Sequence, residues 1–130
     1  MSLSSPDQGL SRSQRLIRPA QFEKVYGQGR KAVGRHLILW ALPAEVNSGI
    51  RLGVVASRRV GGSVQRNRAR RLLREAFRRR RSEMKSGADV VIVARRSLVE
   101  ASFREADEDL LEAARRAGLL PARPRKEGGS

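Results

Sequence analysis

The densest chemistry in this chain lies between Arg66 and Arg81, where the sequence reads R-N-R-A-R-R-L-L-R-E-A-F-R-R-R-R. A guanidinium group stays charged at any relevant pH and can pair with two phosphate oxygens at once. Spacing matters as much as density. Ala69, Leu72, Leu73, Ala76 and Phe77 recur at helical intervals and can share one face. Arg66, Arg70, Arg74, Arg78 and Arg81 run along another side. Such a helix buries its apolar stripe on a core and offers a row of cations outward, which suits a polyanionic partner.

The rest of the composition points the same way. The chain has 130 residues, 39% of them hydrophobic, which suits one domain with a modest core. Aromatics are only 4%, so aliphatic side chains must fill most of that core. The net charge is +15 and is unevenly spread. Between Arg51 and Arg96, fifteen Lys or Arg face only Glu75, Glu83 and Asp89, a local excess of +12. Simple solubility needs mixed signs rather than one basic region, so nucleic acid is the expected partner. With no cysteine there is no disulfide, thiol nucleophile or zinc–sulfur site. No apolar run is long enough for a membrane span, and the N-terminus lacks the apolar core of a signal peptide. A cytoplasmic protein with no membrane partner is expected.

Catalytic chemistry is not evident. His36 is the only histidine, and a lone histidine at a strand start is ordinarily structural. Glu105, Asp107, Glu108, Asp109 and Glu112 fall on one helical segment and alternate around it. A two-metal nuclease needs carboxylates converging from separate elements, so these read as a solvated face partly paired with Arg115 and Arg116. Gly27-Gln28-Gly29 lacks the spacing of a phosphate-binding loop. No catalytic residue and no metal site of its own is expected.

The elements that would position the arginines follow from local signals. Residues 1–12 and 121–130 read as disordered tails around a domain at 13–120. A first helix is expected over Pro19–Tyr26, with Gly27 just past its end and Phe22 and Tyr26 on one face. His36–Leu42 reads as a strand ended by Pro43, Asn47-Ser48-Gly49 as a turn, and Ile50–Ser57 as the next strand. This pair suggests an antiparallel hairpin. In the second strand Leu52, Val54 and Ala56 share one face, and Gly53, Val55 and Ser57 the other. Gly61-Gly62-Ser63 opens the arginine helix, with Ser63 as N-cap, and the helix should fade near Ser86-Gly87. Asp89–Ala94 is nearly all apolar and suits a central strand covered on both faces. Ser102 and Glu105 form a capping box for a last helix that Gly118 can end. The order implies helices packed on a small sheet.

Four blocks occur together: Phe22-Glu23-Lys24-Val25-Tyr26 followed by Gly29-Arg30; Arg51 through Gly61; Arg66-Asn67-Arg68 followed by Arg70 through Arg78; and Gly87 through Arg95. In this order and spacing they resemble the protein subunit of bacterial ribonuclease P, over about Arg15 to Leu120. The R-N-R block after an R-V-G turn is the specific part. The resemblance implies an α+β fold, a two-layer α/β sandwich of the ribosomal protein S5 domain 2-like class. Its order is α-β-β-β-α-β-α, with a short strand near Arg30–Val33 and a left-handed βαβ crossover. It implies an accessory role in an endoribonuclease that removes the 5′ leader from precursor tRNA. The RNA subunit carries the active site and its Mg2+, and one protein assembles with one RNA. By the same resemblance Arg66, Asn67 and Arg68, extended by Arg70, Arg71 and Arg74, face the catalytic RNA. Phe22, Tyr26, Arg30, Arg35, Ser57, Arg58 and Arg59 face the single-stranded leader. Two departures stand out: Gly62 where the family commonly has Asn, and apolar Ala32 and Val33 where a polar or aromatic residue is frequent.

Spacing alone also allows Phe22 and Tyr26 to be core residues. A general RNA-binding or ribosome-associated protein explains the charge equally well, but not the four blocks together. A DNA-binding helix presenting Asn67 and Arg68 to base edges is a further alternative. Its apolar stripe argues instead for packing against a sheet.

Overall fold

Pro19 lacks a backbone N–H and therefore suits the first turn of a helix, and α1 runs Pro19–Gln28. The computed structural model describes residues 15, 16, 18–44, 49–84 and 87–121. The expected tails lie outside these, apart from Pro121, as do Asn47 and Ser48 of the expected turn. The helix passes through Gly27 and ends at Gly29, whose N–H donates to the Val25 carbonyl at 2.8 Å. Gly29, not Gly27, is the required glycine. A Cβ there would stand 2.6 Å from the Val25 oxygen, whereas at Gly27 it would meet nothing.

Four strands follow the order β1-β2-β4-β3, with β1 Arg30–Val33, β2 Leu37–Pro43, β3 Ile50–Val55 and β4 Ala88–Ala94. β1 and β4 both pair antiparallel with β2, and β3 pairs parallel with β4. The expected hairpin between β2 and β3 is therefore wrong, because β4 lies between them. β4 is apolar on both faces and buried almost throughout, so it belongs inside the sheet with a neighbour on each side. Its parallel partner β3 needs a long crossover, which α2 (Ser63–Arg80) supplies. The register also sets Arg51 opposite Asp89, where Arg51 Nε and Nη2 donate to the two carboxylate oxygens at 2.9 and 2.8 Å.

Alternation along the strands divides the sheet into two faces. Leu37, Leu39, Ala41, Leu52, Val90 and Ile92 form the main core with α2 and with α3 (Phe103–Arg116). α2 contributes Ala69, Leu73, Ala76 and Phe77, all buried, with Leu72 at the margin, as its spacing predicts. The other face is smaller. Val25 of α1 is fully buried against Val91, with Phe22, Trp40, Leu42, Val55 and Val93 around them.

The ends of the long helices depart from their local signals. Gly62, in extended conformation, holds the N-cap position of α2 and Ser63 is already helical, with no side-chain cap. Gly61 turns the chain one residue earlier, at a φ of +149° that favours glycine. At the far end α2 stops at Arg80 rather than near Ser86-Gly87, and a 3-10 turn over Arg81–Glu83 brings Met84 back into the core. α3 follows its signals closely. The Ser102–Glu105 capping box forms, with Glu105 N–H donating to Ser102 Oγ at 3.1 Å and Ser102 N–H to Glu105 Oε1 at 2.9 Å. Gly118 sits just beyond the helix at a φ of +85°.

Candidate nucleic-acid interface

β3 ends in a tight turn over Ser57–Val60, held by Val60 N–H donating to the Ser57 carbonyl at 3.0 Å. This turn forms one wall of a trough of about 950 Å³. The opposite wall comes from the β1–β2 turn and from the chain leaving β4. Five arginines line it: Arg35, Arg58, Arg59, Arg95 and Arg96. Ser57 and Ser97 add hydroxyls, and Ile38, Val60 and Val93 give apolar surface. No carboxylate lines it. Ile38 and Val93 alternate with the core-facing Leu39 and Ile92, so the trough lies on the sheet face that α1 leaves partly uncovered. Guanidinium walls over an apolar floor can hold phosphates while bases rest on the floor.

α1 brings aromatic rings to the same face. Tyr26 stands edge-on to Trp40 at 4.8 Å between ring centres, and the Lys31 ammonium lies 5.5 Å from the Trp40 ring centre. Tyr26 is 39% exposed. Partial burial holds its phenol above the usual range, so it stays neutral. Phe22 sits deeper, packed over Gly53.

The arginines of α2 divide among its sides. Arg74 borders Leu52, Gly53 and Val54 of β3, and Arg81 Nη2 donates to the Ile50 carbonyl at 3.3 Å. Arg66 and Arg70 share that flank by i, i+4 spacing. Asn67 accepts from Arg70, which fixes its amide along the helix crest beside the exposed Arg71. Arg68 lies on the other flank, where its Nη1 donates to the Val99 carbonyl at 3.0 Å. At the helix start Val64 is 76% exposed and no acid occupies the first turn. The helix dipole there adds to the positive field.

Of the thirteen residues singled out from sequence, Arg35, Ser57, Arg58 and Arg59 meet in the trough. Phe22 and Tyr26 flank the same face. The six on α2 spread over its two flanks and crest rather than forming one row. Arg30 does not join the trough. It pairs with Ala41, whose side chain faces the opposite core, and its guanidinium reaches Gly118 after α3. Sequence reading missed Trp40, Lys31, Arg95, Arg96 and Ser97 as contributors. The register of β1 and β2 brings Lys31 beside Trp40, and that register was the absent signal.

Several cations are committed internally. Arg80 is held by Asp107 at 2.8 Å and by Glu83 at 3.3 Å, and the Asp107 hydrogen bond raises its pKa. Arg78 and Arg79 bind Glu75, whose carboxyl they hold below the usual range. Arg79 also lies over Phe103 at 4.8 Å. Among the described residues no group of three or more His, Asp or Glu could hold a metal ion. No helix among them is long and apolar enough to cross a membrane.

Comparison with known proteins bears on the same region. The family model described as Ribonuclease P matches residues 10–118. The ribonuclease P protein component of Chloroflexus aurantiacus is 43% identical over 114 residues, covering 87% of this chain and 84% of that one. That of Brevibacillus brevis is 32% identical over 119 residues, covering 92% and 94%. Among solved structures, the Staphylococcus aureus RNase P protein superimposes with a TM-score of 0.75 at 22% identity, over 82% of this chain and 97% of that one. The Thermotoga maritima RNase P protein gives 0.68 at 27% identity, over 75% and 92%. The fold is thus the α/β sandwich of these proteins. A match over nearly the whole described chain, with the R-N-R block inside it, makes this chain a member of the ribonuclease P protein family.

Proposed function

We propose that this ribonuclease P protein component holds the catalytic RNA against α2 and the single-stranded 5′ leader of precursor tRNA in the trough. The enzyme it serves is the endoribonuclease that processes tRNA 5′ ends. In this reading bond cleavage and Mg2+ belong to the RNA subunit, one protein joins one RNA, and the assembly works in the cytoplasm. Arg66, Asn67, Arg68, Arg70, Arg71 and Arg74 approach the catalytic RNA. Arg35, Ser57, Arg58 and Arg59 meet leader phosphates, and Phe22 and Tyr26 offer ring surface to unpaired bases.

The observation that carries the reading is the trough itself: five guanidinium groups, two hydroxyls and an apolar floor, open along one side of the sheet. Stacking and phosphate contacts make little demand on sequence, which suits a subunit serving many precursors. Arg30, turned toward α3, is left out of the leader path.

The test is cleavage of a 5′-labelled precursor tRNA at low magnesium, with protein alone, bacterial ribonuclease P RNA alone, or both. Cleavage at the mature 5′ end only with both is expected. No stimulation of a matched RNA would favour a general RNA-binding protein. Cleavage by the protein alone would place an active site on the protein.

A further inference from the structure

The turn Gly34-Arg35-His36, between β1 and β2, is held at every backbone polar group. Gly34 N–H donates to the Leu37 carbonyl at 2.7 Å, and the Gly34 carbonyl accepts from Arg95 Nη1 at 2.8 Å. Arg35 N–H donates to Asp109 Oδ1 at 3.1 Å, and the Arg35 carbonyl accepts from Ser97 Oγ at 3.0 Å. His36 N–H donates to Asp109 Oδ2 at 2.8 Å, and the His36 carbonyl accepts from Arg95 N–H at 2.9 Å. With its one proton given to Arg35, Ser97 Oγ must accept from His36 Nδ1, 2.8 Å away. Gly34 is required beside the carboxylate, since a Cβ would stand 2.6 Å from Asp109 Oδ2.

A short connection between antiparallel strands does not need a carboxylate from a helix more than seventy residues away. The arrangement has a consequence for charge. Each Asp109 oxygen accepts from a backbone N–H of the turn, and neither is bonded to the Arg35 guanidinium. Among the described residues the Arg35 guanidinium makes no hydrogen bond or ion pair, while its backbone is fixed at the rim of the trough. Glu105 attracts it through space without a bond; a cation with a rigid base and no bonded internal partner loses little freedom on meeting a phosphate.

We infer that Asp109 is a positioning residue: it fixes the β1–β2 turn so that Arg35 meets a leader phosphate in the trough. The inference rests on the leader reading above. Asp109 touches no substrate; it acts through Arg35, and Ser97 supports the same turn from the β4 side.

The test uses the holoenzyme reconstituted with a matched RNA, and compares affinity for a precursor carrying a leader with affinity for the same tRNA lacking it. The variants are Arg35→Ala, Asp109→Asn, their double, Ser97→Ala and Arg58→Ala. Thermal unfolding and affinity for the RNA subunit are measured for each. An amide at 109 can accept from one N–H but sets its own N–H against the other, so the turn loosens while the side-chain volume is kept. Ser97→Ala loosens the turn without touching α3, in case Asp109→Asn unfolds the protein.

Arg35→Ala should weaken leader-bearing substrate about tenfold, as for one charge-assisted hydrogen bond, and leaderless tRNA not at all. Asp109→Asn should lose about threefold on the same substrate, and the double variant no more than Arg35→Ala alone. Additive losses in the double variant, or equal losses on both substrates, would overturn the positioning role. So would a loss of leader dependence in Arg58→Ala that neither Asp109→Asn nor Ser97→Ala shares, and the leader reading would then stand. If neither Arg35→Ala nor Arg58→Ala changes leader dependence, the leader reading itself falls.

Discussion

The Phe22 ring lies directly over Gly53 of β3: a Cβ on Gly53 would stand 2.5 Å from ring Cε1 and 2.7 Å from Cζ. The missing side chain is what lets α1 settle onto the sheet and bury Val25 against Val91. Gly53→Ala should therefore push the ring outward and destabilise the protein by about 1–3 kcal/mol, the range for overpacking a well-filled site. Urea unfolding at neutral pH measures this. A change within a few tenths of a kcal/mol would mean that α1 shifts without cost and that the packing there is loose.

Binding to the catalytic RNA should sort the α2 arginines by what already holds them. Arg66 has no carboxylate partner among the described residues, and Arg68 is bound only to a carbonyl, so both keep their full charge for phosphate. Arg66→Ala or Arg68→Ala should weaken assembly and flatten the plot of log affinity against log salt by about 0.7–0.9 for each phosphate that is no longer neutralised. Arg80 is occupied by Asp107 and Glu83. Arg80→Ala should leave the salt slope unchanged and destabilise the free protein by about 1–2 kcal/mol, between an exposed pair and a buried one. Titrations at several salt concentrations, run beside thermal unfolding, check both. A slope change in Arg80→Ala equal to that in Arg66→Ala would show that the internal pairs open when RNA binds.

These contrasts mark where sequence reading reached and where it stopped. The α2 stripe, the buried β4 and the α3 capping box depend on neighbours within a few residues, and each formed as its spacing predicts. Insertion of β4 between β2 and β3 depends on pairing across the whole arginine helix, which no local turn signal encodes. Arg30 shows the same limit within the site. The family resemblance assigned it to the leader face, whereas its pairing with Ala41 sets it on the other face and its guanidinium lies by Gly118. Arg95, Arg96 and Ser97 reach the trough only because β4 ends beside the β1–β2 turn. The four sequence blocks could point to the family without that information, because they need only order and spacing.

Acid should weaken the fold partly through Glu105. Its carboxyl is held below the usual carboxylate range, first by the backbone hydrogen bond at Ser102. A depressed value in the folded state means that this stabilisation is complete above the ordinary glutamate range, near pH 4.3, and is lost as pH falls through the lower folded value. Glutamine at this position can keep the capping geometry without the charge. Glu105→Gln should therefore melt lower than the parent protein at pH 7, and the gap should narrow as pH falls below the ordinary glutamate range. A gap that stays constant there would show that geometry, not charge, carries the cap.

Phe22 and Tyr26 lie one helical turn apart, but their surroundings predict different losses. Phe22 packs over Gly53 within the smaller core, whereas Tyr26 is 39% exposed and meets Trp40 by its edge. Phe22→Ala should cost about 2–4 kcal/mol of stability, somewhat below a fully buried ring because its site is partly open. Tyr26→Ala should cost less, about 1–2 kcal/mol, since over a third of the residue stays in water while the rest packs on Trp40. Leader binding reverses the order. The exposed Tyr26 ring is the one presented to an unpaired base, and its loss should weaken leader-bearing substrate by about 1–3 kcal/mol with leaderless tRNA unaffected. Phe22→Ala should weaken both substrates wherever misplacement of α1 disturbs assembly, with a further loss on the leader-bearing one. Paired affinity and unfolding measurements separate the two. If Tyr26→Ala changes neither substrate, the Tyr26–Trp40 pair only closes the edge of the smaller core, and the leader must rest on the trough arginines and its apolar floor.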